Sequence, residues 1–206
     1  MGSKAAVVVV AAGDPRQAFR RVQEIRHDKS KILAERVLGT AARATASLPL
    51  DLAVWPDSGT VCAAYLPEFE VICSRELAQS SPSHLTEMVC EWATGRHAYG
   101  VFMDSAEDWS AFAVWSGGEL VRGVSLSPGS GVIEDLGDRL PFEAPFWEGG
   151  RPVRHTPGYA LPFHPIDLGN EALKEFFGFI LEGRESVGCL DPEEIEIPAF
   201  RVATRA

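Results

Sequence analysis

Two groups of acidic residues in this 206-residue chain are the first whose spacing suggests chemistry. Glu134, Asp135, Asp138 and Glu143 lie in a glycine-rich segment, and Asp104, Glu107 and Asp108 lie in a turn upstream of it. Paired carboxylates can divide acid and base work when their surroundings separate their pKa values, as in glycoside hydrolysis. Carboxylate oxygens can also hold a hard cation. His164 stands in Leu161-Pro162-Phe163-His164-Pro165, where the prolines restrict its direction, and an imidazole so held is a candidate base near neutral pH. A hydrolase built on Glu134, Glu143, His164 and Asp104 requires one of the two glutamates within hydrogen-bonding reach of His164 or Asp104, in one pocket. The plainer reading is that a chain of formal charge -10 keeps its acids in solvated loops. His164 would then bond a loop carbonyl and lock the start of the last helix.

Aromatic side chains form the second candidate. Phe142, Phe146 and Trp147 are interleaved with Pro141 and Pro145, a pattern that can line a concave apolar site or a partner-facing patch. Trp109 and Trp115 are six residues apart, so on a strand they share a face with Ala111 and Ala113, and that face reads as core.

Other motifs are excluded on inspection. Gly123-Val124-Ser125-Leu126-Ser127 lacks the last glycine of a nucleophile elbow and is followed by no helical pattern. Gly129-Ser130-Gly131 is a fragment of a dinucleotide fingerprint without its third glycine, and reads as a turn. Cys62, Cys73, Cys90 and Cys189 have no zinc-type spacing, so no metal is expected. They read as small buried hydrophobes in a reducing compartment, with a Cys62–Cys73 disulfide across a hairpin as the alternative. The acidic balance opposes nucleic acid, and the basic residues between Arg16 and Arg43 are interleaved with acids.

These groups must be positioned by a mixed set of elements. Lys4 and the run AAVVVVAA read as a buried strand rather than a minimal signal peptide, because Asp14 and Pro15 then cap and open a helix. Ala18, Val22 and Ile25 continue that helical spacing, and Ser30 caps a second helix that stops at Gly39. Residues 41–59 read as an irregular loop. Strands follow at Thr60 to Tyr65 and Glu68 to Ser74, then a helix from Ser81 to Gly95. Residues 97–126 form a meander with a hairpin about Gly117-Gly118. Ser127 to Pro145 reads as an extended strap, and a helix capped by Asn170 and stopped by Gly183 carries the stripe Leu173, Phe176, Phe177, Ile180 and Leu181. An edge strand closes the chain at Ile195 to Arg201. No run is long enough to span a membrane.

The run WSGGELVRGVSLSPGSGVIEDLGDRLPFEAPFWEGG, with MGSK at the start, LPFHPIDLGNEALKEFFGFILEG and DPEEIEIPAF, resembles a family of uncharacterised, mainly actinobacterial proteins filed as a domain of unknown function. That resemblance implies a cytosolic bacterial protein, a native MGSK start, and no catalytic residue or cofactor to carry over.

The sequence therefore predicts one α+β domain over residues 1–206, with a mostly antiparallel sheet flanked by about four helices. The function expected is that of a cytoplasmic, non-catalytic interaction or small-ligand-binding protein. Its partner is an unknown protein or small molecule, with no nucleic acid, membrane or cofactor. The alternative is the hydrolase of Glu134, Glu143 and His164.

Overall fold

The computed structural model describes residues 2–20, 24–153, 159–183 and 188–203. Val22 and His155 lie outside the described residues, as does Met1. The first strand, β1 (Lys4–Ala11), runs down the middle of a nine-stranded sheet. Ala5, Val7 and Val9 point to one core and Ala6, Val8 and Val10 to the other. Burial on both faces is why this strand reads as an unbroken apolar run rather than an alternation.

The remaining strands are β2 (Ala42–Ala44), β3 (Leu48–Pro49), β4 (Thr60–Tyr65), β5 (Phe69–Cys73), β6 (His97–Asp104), β7 (Trp109–Ser116), β8 (Glu119–Ser127), β9 (Gly131–Leu136), β10 (Glu196–Ile197) and β11 (Ala199–Val202). The large sheet has the order β2-β11-β4-β5-β1-β6-β7-β8-β9, antiparallel at every pairing, and β3 pairs with β10 apart from it. The meander of residues 97–126 is present as expected. Its hairpin turns at Gly117 (φ 63°) and Gly118 (φ 86°), two positive φ angles that glycine adopts without strain and that match the twist of the strands.

Helices cover both faces. One face carries α1 (Pro15–Phe19), α3 (Leu50–Ala53), α5 (Ala144–Trp147) and α6 (Pro165–Phe177), and the other carries α2 (His27–Leu38) and α4 (Thr86–Ala93). The four expected helices are α1, α2, α4 and α6, while α3 and α5 are single turns of four residues each. Asp14 Oδ1 accepts from the Arg16 amide, so the first helix opens as its sequence suggests.

Several boundaries differ from the sequence reading. The last helix begins at Pro165 under a His164 cap and ends at Gly178 in the left-handed region, not between Asn170 and Gly183. Pro165 supplies a preset φ at the first helical position. Asn170 is buried inside the helix, where Nδ2 donates to Ile166 O (3.2 Å) and Oδ1 accepts from the Leu181 amide (3.0 Å). Ser30 is likewise interior rather than a cap. Its Oγ donates to Arg26 O (2.9 Å) and accepts from the Tyr65 amide (2.9 Å), which ties α2 to β4.

Residues 41–59 hold β2, β3 and α3 instead of a plain loop, and the strap after Ser127 contains β9, a 3-10 turn at Pro141–Glu143 and α5. The closing strand is divided into β10 and β11, and β11 lies one place in from the edge that β2 forms. The helix expected over Ser81 to Gly95 is present with a different first turn: Pro82–Leu85 is a 3-10 turn that leads into α4.

Cys62 and Cys73 face each other across β4 and β5, fully buried and unbridged. Burial pushes the Cys62 thiol up to about 12, and burial together with Cys62 pushes Cys73 well above its ordinary range. Both behave as small core residues.

Candidate functional site

The two glutamates of the expected hydrolase lie on opposite faces of the sheet. Glu134 on β9 is the register partner of Ser125 and turns toward the α4 side, where the Ser83 amide (3.1 Å) and hydroxyl donate to its carboxylate. Glu143 is completely buried on the α6 side. A one-residue bulge at Val121 positions its partner: Trp115 pairs with Leu120 and Val114 with Arg122, so Arg122 points to the α6 face instead of following Leu120.

The Arg122 guanidinium donates to both Glu143 oxygens, from Nε (2.9 Å) and Nη2 (2.6 Å). Its Nη1 serves Asp135 (2.6 Å), Leu136 O (2.9 Å) and Gly137 O (3.0 Å). Glu143 also accepts from the Leu140 amide (2.7 Å) and Trp147 Nε1 (3.1 Å). Burial alone would lower the Arg122 pKa, but the hydrogen bonds and charges of Glu143 and Asp135 outweigh it and hold the value above the ordinary one. A buried pair with every hydrogen-bonding group satisfied fastens the strap to the sheet.

Among the described residues, Asp104 and His164 make no hydrogen bond to each other or to either glutamate. Asp104 lies at the end of β6 in register with Lys4 and Trp109, and accepts from Lys4 Nζ (2.7 Å) and the Ala106 amide (2.9 Å). His164 caps α6: its Nδ1 accepts from the Ile166 amide (3.3 Å), and Nε2 stands 3.5 Å from Asp108 Oδ1. The expected bond to a loop carbonyl is replaced by one from a helix amide. With both ring nitrogens engaged, the imidazole orients the helix, and the hydroxyl of nearby Tyr159 is held above its ordinary pKa by burial, then by Asp108 and Asp167.

Phe142, Phe146 and Trp147 pack inward. Phe142 meets Phe112 and Phe176 at centroid distances of 5.4 and 5.6 Å, and Phe146 and Trp147 meet the Phe163 ring edge-on at 5.3 and 5.0 Å. Trp147 keeps some exposure, but Arg139 covers its ring at 4.1 Å. Trp115 is buried and Trp109 half-buried in the core of the other face, with Trp109 Nε1 donating to Ser125 Oγ (3.0 Å).

The concavity with convergent polar groups lies at the opposite end of the sheet. A groove of about 440 Å³ is lined by Arg43 of β2, Leu48, Leu52 of α3, Trp55, Asp57, Thr60 and Arg201 of β11. Arg43 and Arg201 are direct cross-strand partners. Arg201 donates from Nε to Thr60 Oγ1 (2.7 Å) and from Nη2 to Asp57 Oδ2 (3.1 Å). Asp57 also stands 3.9 Å from Arg75 Nη2. The Arg43 side chain has no hydrogen bond or ion pair among the described residues. The Trp55 ring has the Arg75 guanidinium at 5.4 Å and Lys4 Nζ at 5.5 Å. Leu52, 53% exposed, extends the apolar wall.

A second cavity, about 340 Å³, is apolar, with Phe19, Ile25, Leu66, Phe69 and Ile197 at its wall and Arg20 beside them. Residues 41–59 read as an irregular loop, so Arg43, Trp55 and Asp57 were missed, and nothing in linear spacing links them to Arg201. The one local signal was a tryptophan set in a turn-rich Trp55-Pro56-Asp57-Ser58-Gly59 segment.

The fold and the groove together define an α+β protein whose nine-stranded antiparallel sheet carries an open, arginine-bearing concavity at one corner. No group of three or more His, Cys, Asp or Glu arranged to hold a metal ion occurs among the described residues, and no helix there is long and apolar enough to cross a membrane. The chain belongs to the family of unknown function DUF6928, whose model matches residues 5–200. No curated protein and no solved structure matches it.

Proposed function

We propose that this protein binds a small ligand, without transforming it, in the groove at Trp55. The observation that carries this reading is the groove itself: about 440 Å³, with an indole and leucines on its wall and a few polar groups converging on it. Small-molecule sites have this size and this mixture of apolar lining with few oriented polar groups. The polar groups present are guanidiniums, threonine hydroxyls and one carboxylate already shared by two arginines, which suit holding a ligand. The carboxylates of the hydrolase alternative are occupied on opposite faces of the sheet, so the arrangement lends that alternative no support. Four unbridged cysteines favour a reducing, cytoplasmic setting, and a bacterial, actinobacterial source fits the sequence resemblance.

Native mass spectrometry of gently purified protein tests the proposal, together with ligand-observed NMR against a small-molecule set. Ala46 also lines the groove; a bound mass, or NMR hits, lost in an Ala46→Trp variant that fills the groove but keeps the parent melting temperature is the expected result. Absence of any bound mass and of any hit sensitive to Ala46→Trp would overturn it.

A further inference from the structure

We infer that the ligand of this groove is an anion with a planar apolar body, a carboxylated or phosphorylated ring compound, held between Arg43 and Arg201 with its ring against Trp55. The inference rests on the groove being a binding site and adds the class of ligand.

The decisive feature is the β2–β11 register. Arg43 and Arg201 are directly opposite on paired strands and both line the groove. Like charges placed directly opposite on a sheet are destabilising; both side chains are exposed, so solvent softens the repulsion, and Asp57 relieves it at Arg201 alone. Asp57 reaches Arg201 and Arg75 but not Arg43, and with its side chain 79% exposed its pairing is screened by solvent. Arg75 Nε is buried without a hydrogen-bond partner, so the third guanidinium is also incompletely satisfied. A chain of formal charge -10 thus gathers three arginines around one half-buried tryptophan, with Asp57 shared between Arg201 and Arg75 and Glu76 beside Arg75 alone.

An anion placed between Arg43 and Arg201 removes the cross-strand repulsion and accepts hydrogen bonds from two planar forks. Carboxylate and phosphate match that geometry bidentately. A neutral ligand would leave the repulsion in place, and a cation would add to it. The indole and Leu52 then supply flat apolar contact for the remainder of the molecule, and the groove has room for a body of one or two rings.

Isothermal titration calorimetry with phenyl phosphate, inorganic phosphate and phenol, at low and high salt, tests both halves of the inference. Phenyl phosphate is expected to bind more tightly than either fragment and to weaken as salt rises. Arg43→Gln, an exposed substitution whose folding is checked by circular dichroism, should weaken phenyl phosphate by about 10- to 100-fold, the loss of one or two charge-assisted hydrogen bonds. It should leave phenol unchanged and raise the melting temperature of the unliganded protein, because one of two facing charges is gone. Phenol binding as tightly as phenyl phosphate, with no effect of Arg43→Gln, overturns the anion while the groove stands as a ligand site. Inorganic phosphate binding as tightly as phenyl phosphate overturns the planar body. If no probe binds and no small molecule responds to Ala46→Trp, the binding site and this inference fail together.

Discussion

Arg122 and Glu143 show how much a single residue's side of the sheet matters. Each is an ionised group with essentially no solvent contact, and each is stable there because every polar atom of the pair has a partner. Removing Glu143 leaves the buried Arg122 with Asp135 as its remaining counter-charge and its Nε and Nη2 without an acceptor. Glu143→Ala is therefore expected to cost about 3–5 kcal/mol in urea-induced unfolding. An Arg122→Met/Glu143→Leu double variant should recover part of that loss, since the buried guanidinium disappears, although Asp135, Leu136 O and Gly137 O lose their donor and the Leu140 amide and Trp147 Nε1 their acceptor. Buried thiols give a second prediction at this scale. The folded pKa of Cys62 is about 12 and that of Cys73 is also raised, so the fold favours the protonated thiols. Their contribution is complete below the unfolded value near pH 8.5–9 and is lost as pH rises toward the folded values, by about 1.4 kcal/mol per pH unit for each thiol. Chemical denaturation between pH 8 and 11 should show this fall, and a Cys62→Ala/Cys73→Ala variant should show a shallower one. Thiol reagents should label the partly exposed Cys90 and Cys189 well before Cys62 and Cys73.

Among the elements, α6 is the one whose placement organises a whole face. His164 caps it, Pro165 opens it, and Ser110 Oγ donates to Pro165 O (2.5 Å) to fix its first turn on β7. Gly169 lets the helix approach the sheet closely. A Cβ there would overlap the Met103 sulfur and crowd the Ser110 side chain, both buried. Gly169→Ala should accordingly lower stability by about 1–3 kcal/mol through overpacking, even though alanine is the better helix former. A thermal melt checks the sign directly. The two edge strands also contrast. β2 has three residues and an exposed arginine, the short charged form that resists further pairing, whereas β9 has six residues and exposes Val132, Ile133 and Leu136.

At the scale of the molecule, the sheet is assembled from both ends of the chain. β1 supplies its centre, and β11 is inserted between β2 and β4 only after nearly all other residues have been made. Deleting residues 199–206 removes Phe200 from the α2-side core and Ala199 from the other, uncovers β4, and takes Arg201 from the groove. The truncated protein is expected to lose cooperative unfolding and bind the hydrophobic dye ANS, and near-ultraviolet circular dichroism together with ANS fluorescence measures both.

How much of this was legible follows from the range of the interactions involved. The central strand, the Gly117-Gly118 hairpin, the Asp14-Pro15 helix start and the core face of Trp109 and Trp115 depend on spacing and on local backbone chemistry, and these are written in the chain itself. Helix ends were harder. His164-Pro165 and Asn170 both offer start signals, and so does Ser30, but the choice among them rests on what each side chain meets across the fold. The candidate site was harder still. Glu134 and Glu143 look like a pair along the sequence, and a β-bulge and the sheet's two faces separate them. Arg43 and Arg201 look unrelated, and strand register sets them opposite each other. The amino-acid sequence determined the main strands and helices and the α+β class, because those depend on periodicity and local backbone chemistry, and specific segments such as LPFHPIDLGNEALKEFFGFILEG carried the family resemblance. Tertiary structure decided which charges neutralise one another and which are left facing a groove, because an electrostatic partner is fixed by distance through space and not by distance along the chain.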